Sequence, residues 1–228
     1  MSTIADNVSQ VDERIRAAAL AAQRDPSTIG LLAVSKTKPA AALREAFAAG
    51  LRDFGENYLQ EALSKQLELA DLPLCWHFIG PIQSNKTRAI AEHFAWVHSV
   101  DRLKIAQRLS EQRPAELPPL NICIQVNVSG EASKSGCTPA DLPALAAAIS
   151  ALPRLTLRGL MAIPEPTEDS AEQNAAFATV RRLQDSLNLP LDTLSMGMSH
   201  DLEAAIAQGA TWVRIGTALF GARDYGQP

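Results

Sequence analysis

The feature that most constrains this chain is an alternation of strand-like and helix-like segments, repeated eight times after a leading helix. GLLAVS, LRDFGE, CWHFIG, WVHSV, NICIQVNV, LTLRGLMAI, DTLSMG and WVRIG are short apolar runs bounded by turn residues, and they read as strands. Each is followed by a stretch with helical spacing, from AALREAFAAG after the first to a short final turn, TALFG, after the last. Several of the runs are apolar without alternation, as in strands covered on both faces. Repeated βα order argues for a parallel sheet. Eight such units in about 200 residues is the number that closes into a barrel. The expected fold class is therefore α/β, a single (β/α)8 TIM-type barrel with an additional N-terminal helix; an open doubly wound sheet is the competing arrangement.

Punctuation along the chain places the helices. The leading helix runs from about Thr3 to Arg24, with Val8, Val11, Ile15 and Leu20 near helical spacing. Gly50 marks the end of the next helix. Ser84 and Asp101 are candidate N-caps, and Thr138 followed by Pro139 supplies a cap and a proline at a helix start. A long helix from about Asp169 to Asn188 sets Ala176, Val180, Leu183 and Leu187 on one face. No Ser/Gly linker or composition break marks a second domain. Residues 1–228 are expected to form one domain, with the helical region 1–28 packed on the barrel.

Composition removes several classes of function. The chain has 228 residues, 46% hydrophobic and 20% charged, so it has the means to bury a core. Its net charge of −4 gives no general attraction to nucleic acid or to an anionic membrane. The opening MSTIADNVSQ lacks the charged and apolar regions of a signal peptide, and no run approaches roughly eighteen apolar residues. Cys75, Cys123 and Cys137 are odd in number and far apart, which suits ordinary thiols in a reducing cytoplasm. A cytoplasmic protein, monomeric and without nucleic-acid or membrane partners, is the expectation.

In a barrel the chemistry sits where strands end, and polar residues and glycines concentrate at those junctions here. The first strand runs into two of the six lysines, Lys36 and Lys38. A lysine held partly desolvated at a strand end has a lowered pKa and becomes a nucleophile toward carbonyls. Lys36, nearer the strand, is the better candidate, and Lys38 suits a solvated rim residue. SMGMSHD and RIGTA, after strands seven and eight, put Gly, Ser and Thr beside helix starts, where backbone N–H groups bind phosphate. A reactive lysine facing a phosphate site serves either a phosphorylated-sugar aldolase or a pyridoxal phosphate (PLP) protein. His93 and His98 read as surface or rim residues, and His77 and His200 lie near strand ends. No His, Cys and carboxylate group recurs at metal-ligand spacing, so no metal is expected. Neither a dinucleotide fingerprint nor a Walker loop is present.

The segments AVSKTKP, FGENYLQEA, WHFIGPIQSNK, VNVSGEASKSG, GLMAI and LSMGMSHDLEAAIAQGATWVRIGTALFG, in order from about Ile29 to Gly221, resemble the PLP homeostasis protein family. That resemblance implies a fold-type III barrel similar to the N-terminal domain of alanine racemase, with PLP as cofactor, held as an aldimine on Lys36. It also implies that Asn57 lies close to the cofactor, and that Ser199, Gly216 and Thr217 bind its phosphate. Arg214 is implied to approach the pyridine nitrogen, with Met161 and Met196 packed about the ring. The implied role is intracellular PLP (vitamin B6) homeostasis and amino-acid balance without ordinary turnover, with apo PLP-dependent enzymes as transient partners. Racemases of this fold type carry a second domain after the barrel, and its absence here would leave the cofactor accessible. The alternative is a racemase-like enzyme on an amino acid, with His200, His77 or Cys137 recruited for proton transfer. Lys134, in SGEASKSG, is a candidate second site for passing PLP on.

Overall fold

The computed structural model describes residues 2–130 and 135–222. Helix α1 (Ile4–Ala21) is started by Thr3, whose hydroxyl accepts from the Asp6 N–H while the Asp6 carboxylate accepts from the Thr3 N–H. This reciprocal cap satisfies donors that a helix start leaves open. Val8, Val11, Ile15 and Ala19 form its buried stripe. Leu20 does not join them and is 62% exposed, because five residues on from Ile15 a helix has turned about 140° away.

Strand and helix then alternate as the spacing predicts: β1 (Gly30–Val34), α2 (Ala40–Ala48), β2 (Asp53–Glu56), α3 (Leu59–Glu68), β3 (Cys75–Phe78) and α4 (Thr87–His93). The chain continues through β4 (Trp96–Val100), α5 (Leu103–Gln112), β5 (Leu120–Gln125), α6 (Leu142–Ser150), β6 (Leu155–Met161) and α7 (Ser170–Ser186). It closes with β7 (Thr193–Ser195), α8 (Leu202–Ala207), β8 (Trp212–Ile215) and α9 (Thr217–Phe220). All eight strands are parallel and follow sequence order in a closed barrel. Pairing of β8 with β1, from Gly30↔Trp212 to Ala33↔Ile215, rules out the open doubly wound sheet. Closure leaves no strand edge unpaired.

Alternation along the strands divides the buried residues. One set, including Ala33, Phe54 and Ile122, joins the main core with helix residues such as Leu43, Ala46 and Phe177. The other points into the barrel, where Trp96, Cys123 and Met161 form a small apolar cluster beside buried His77, His98, Ser195 and Arg214. α1 packs on α8, α9 and α2. Among the described residues no helix is long and apolar enough to cross a membrane.

Three helix starts differ from the sequence expectation. Ser84 opens a 3-10 turn (Ser84–Lys86), and its carbonyl accepts from Thr87 Oγ1 (2.9 Å) at the true start of α4. Asp101 sits one residue before the N-cap of α5, which is Arg102, and pairs with that side chain. Thr138 closes a separate turn by accepting from the Asp141 N–H, and the proline in the first turn of α6 is Pro143, whose missing N–H is not needed there. α7 begins close to the expected position, with Asp169 as its N-cap, and Phe177 and Val180 are the buried residues while Ala176, Leu183 and Leu187 are half-buried.

Candidate functional site

The C-terminal mouth of the barrel gathers the residues that carry chemistry. Lys36 is half-buried on a tight turn just beyond β1, closed by the Lys38 N–H donating to the Ser35 carbonyl (3.1 Å). Thr37 occupies the left-handed region at φ 65°. A β-branched residue there is strained and persists only where its surroundings hold it. They do so through Glu61, whose Oε1 accepts from the Thr37 N–H (2.5 Å). Beneath the turn lies a buried lysine of α3, Lys65. Its ammonium donates to the Ser35 carbonyl (2.7 Å), Glu56 Oε1 (2.8 Å) and Glu61 Oε1 (2.6 Å). Ser35 Oγ also donates to Glu56 Oε1 (2.6 Å). Burial pushes the Glu56 carboxyl up, and Lys65 opposes that push. Lys65 was not singled out from the sequence, although it falls on the same helical stripe as buried Ala62 and Leu69, which was the available signal.

Asn57 stands beside this turn. Val34 pairs with Gly55, so Lys36 and Asn57 both lie two residues beyond a matched pair on adjacent strands. The backbone of Asn57 is packed against Gly80, whose carbonyl accepts from Ser99 Oγ. Asn57 Oδ1 is buried and, among the described residues, has no hydrogen-bond partner. An unmatched buried acceptor costs about 1–3 kcal/mol, and a polar group of a ligand at the mouth would remove that cost.

On the other side of β1, the loop after β7 and the end of β8 are tied together by the Arg214 N–H donating to the Gly197 carbonyl (2.9 Å). Gly197 is at φ 99°, and a Cβ there would come within 2.6 Å of Ala205 Cβ on α8. Ser199, half-buried, lies in the turn before α8, where Asp201 Oδ1 accepts from the Met198 N–H (2.6 Å). Gly216 is the N-cap of α9 and Thr217 its first residue. A Cβ at Gly216 would sit 3.3 Å from the Val34 carbonyl oxygen, so the turn lies close against β1. Gly216 and Thr217 thus occupy the start of α9, where N–H groups lack intrahelical partners, and Ser199 lies in the turn two residues before Asp201, the N-cap of α8.

Arg214, paired in register with Leu32 of β1, lies deeper in the barrel than Lys36 and is 5% exposed. Its Nη1 donates to Ser195 Oγ (2.8 Å) and its Nη2 to the Ala162 carbonyl (2.9 Å). Burial brings the guanidinium down to about 10, which leaves it charged at neutral pH. Met161 is fully buried in the interior cluster with Trp96 and Cys123, whereas Met196, also fully buried, belongs to the main core.

The histidines divide differently from the sequence expectation. His93 is exposed, but His98 is no rim residue: it is fully buried inside the barrel, because the third position of β4 points inward. His77 is equally buried and bonded to it. His200 is exposed in the turn after Ser199. Lys38 donates to the Ala222 carbonyl (2.7 Å), as a rim residue would. Lys134 lies outside the described residues. Burial pushes the Cys75 and Cys123 thiols up to about 12 and Cys137 to about 11, so none is a ready thiolate. Asp53, Cys75 and His77 bring three potential ligand atoms within 4.8 Å, a grouping that sequence spacing hides because Asp53 comes from the neighbouring strand. There, however, His77 Nε2 is hydrogen-bonded to Asp53 Oδ1 (2.9 Å).

Comparison with known proteins identifies the family. Residues 2–224 match the family described as alanine racemase, N-terminal domain. The chain is 80% identical to the pyridoxal phosphate homeostasis protein of Pseudomonas aeruginosa over 228 residues, covering 100% of this chain and 99% of that one. It is 56% identical to the protein of the same description in Escherichia coli, covering 99% of each. Among solved structures it resembles PipY of Synechococcus elongatus PCC7942 with PLP bound, at a TM-score of 0.84 and 44% identity, covering 96% of this chain and 100% of that one. Fold and full-length similarity agree, and the chain belongs to the pyridoxal phosphate homeostasis protein family.

Proposed function

We propose that this protein holds PLP covalently on Lys36 and serves as a PLP carrier in vitamin B6 homeostasis, without ordinary turnover. The observation that carries the reading is the Lys36 turn: a half-buried lysine on a strained loop, fixed from below by Lys65, Glu56 and Glu61, at the same barrel mouth as the start of α9 on the neighbouring strand β8 and the turn before α8. When bound, the cofactor would supply an aldehyde, and the amine of Lys36 would join its carbon with loss of water. Asn57 would engage a polar group of the ring through its unmatched Oδ1. Ser199, Gly216 and Thr217 would take the phosphate. Arg214, a fixed cation, would keep the ring nitrogen unprotonated and the ring a poor electron sink, which suits storage better than catalysis. Of the groups considered for proton transfer, His77 is sealed inside the barrel and Cys137 is held as a thiol, which leaves only the exposed His200 beside Ser199. Transient transfer to apo PLP-dependent enzymes is the corresponding partner reading.

The test is absorbance of the purified protein with added PLP, for wild type and Lys36→Ala, before and after borohydride. A visible band that reduction fixes covalently in the wild type, and that the variant lacks, is the expected result. A band of equal strength in the variant would move the cofactor to another lysine, and no band in either would remove PLP from the account.

A further inference from the structure

Five side chains form an unbroken hydrogen-bond chain through the barrel interior. At the N-terminal end Asp53, the first residue of β2, meets His77 Nε2 at 2.9 Å, with its own side chain 29% exposed. His77 Nδ1 meets His98 Nε2 at 2.9 Å, and His98 Nδ1 meets Ser195 Oγ at 2.7 Å. Arg214 Nη1 closes the chain on the same Oγ at 2.8 Å. The imidazoles are clamped by aromatic rings: His77 stacks on Trp96 with centroids 5.5 Å apart, and Trp212 meets its edge at 5.0 Å.

With both imidazoles neutral, as their burial favours, elementary donor rules give this chain a single direction. A guanidinium only donates and a carboxylate only accepts. Arg214 therefore donates to Ser195, and Asp53 accepts from His77 Nε2–H. His77 Nδ1 is then an acceptor and takes the proton of His98 Nε2. That leaves His98 Nδ1 as an acceptor for the Ser195 hydroxyl. Every link is satisfied with both rings neutral and both protonated at Nε2. Because a serine hydroxyl can also accept, donor rules alone would admit a second proton on either ring; burial disfavours it, and both histidines are held below their ordinary value, His98 well below.

We propose that His77 and His98 are positioning residues for Arg214, with Asp53 fixing their tautomers from the far end of the barrel. The chain orients Ser195 so that its lone pairs, not its hydrogen, face the guanidinium, and with the Ala162 carbonyl this holds Arg214 in one pose. The inference rests on the reading above, in which Arg214 meets the ring nitrogen of bound PLP. Through the chain, the cofactor's electronic state is set by a carboxylate at the opposite mouth, which touches no part of the proposed binding site.

The test uses nitrogen-15 NMR of the imidazoles in the PLP-free protein, followed by the ring-nitrogen resonance of labelled PLP in the loaded protein. In the wild type both rings should show the neutral Nε2–H pattern at neutral pH. Asp53→Ala should load PLP normally, lose the single-tautomer pattern at both rings and shift the ring-nitrogen resonance. Ser195→Ala should keep the His77 pattern, still anchored by Asp53, and shift the ring-nitrogen resonance as well. A protonated ring or an Nδ1–H tautomer in the wild type overturns the proposal, as does an Asp53→Ala protein with unchanged imidazole and cofactor signals. If the wild type fails to load PLP, the cofactor reading and the positioning role fall together, while the imidazole signals still decide the direction of the chain.

Discussion

At Gly80 a Cβ would sit 2.4 Å from the Asn57 carbonyl oxygen and 2.8 Å from Asn57 Cα. Backbone cannot move aside as a side-chain tip can, so Gly80→Ala should cost about 1–3 kcal/mol in urea unfolding and, by displacing Asn57, weaken PLP uptake in a titration. Unaltered uptake would show that Asn57 is not part of the site. Lys65 makes a larger demand, since removing it leaves the Glu56 carboxylate buried without its cation. Lys65→Met should destabilise the protein by about 3–5 kcal/mol, measured as a lowered urea midpoint. Lys36 was legible in the sequence because a lysine interrupts an apolar strand there. Lys65 was not, because a lysine in a helix reads as solvated until its three acceptors, from the turn after β1, from β2 and from α3, are seen to converge on it.

The elements carry the site by where they end. α1 adds a tether: Arg14 pairs with Glu203 of α8 and donates to the Ser199 carbonyl (2.9 Å), fastening the loop after β7 from outside the barrel. The pair is well exposed, and exposed pairs contribute about 0–1 kcal/mol. Arg14→Ala should therefore change the urea midpoint little while speeding PLP release, followed by stopped-flow absorbance; an unchanged release rate would remove the tether from the site. Existence and order of the elements were readable because apolar periodicity is local. Helix starts were less so: Ser84, Asp101 and Thr138 each have capping chemistry, and only the backbone path decides whether a cap closes a helix or a preceding turn.

The whole molecule responds to pH through its interior. His77 and His98 are buried neutral with lowered folded values, so unfolding takes up protons once the pH drops toward the ordinary histidine value of 6.5. Stability from these two groups is full above that value and is lost as pH falls toward their folded values, by about 1.4 kcal/mol for each unit of depression. Glu56, raised by burial, acts in the opposite sense: its contribution is full below its ordinary 4.5 and fades as pH rises through its folded value. Urea midpoints at about pH 7.5 and about pH 5.5 should show a net fall on acidification. A flat profile would mean that the histidines are already charged or exposed in the folded state.

The sequence by itself determined the repeat of eight strand and helix units, their order, and the strand ends at which Lys36, Asn57, Ser199, Arg214, Gly216 and Thr217 stand. Those are consequences of periodicity and turn chemistry between near neighbours. Only the tertiary structure decided what crosses the barrel. Closure of β8 on β1 brings residues from β2, β3, β4, β7 and β8 into one interior, and the inward turn of alternate strand positions makes a hydrogen-bonded row of Asp53, His77, His98, Ser195 and Arg214. Their positions in the sequence span more than half the chain, and no local pattern relates them, because the register between strands places them together.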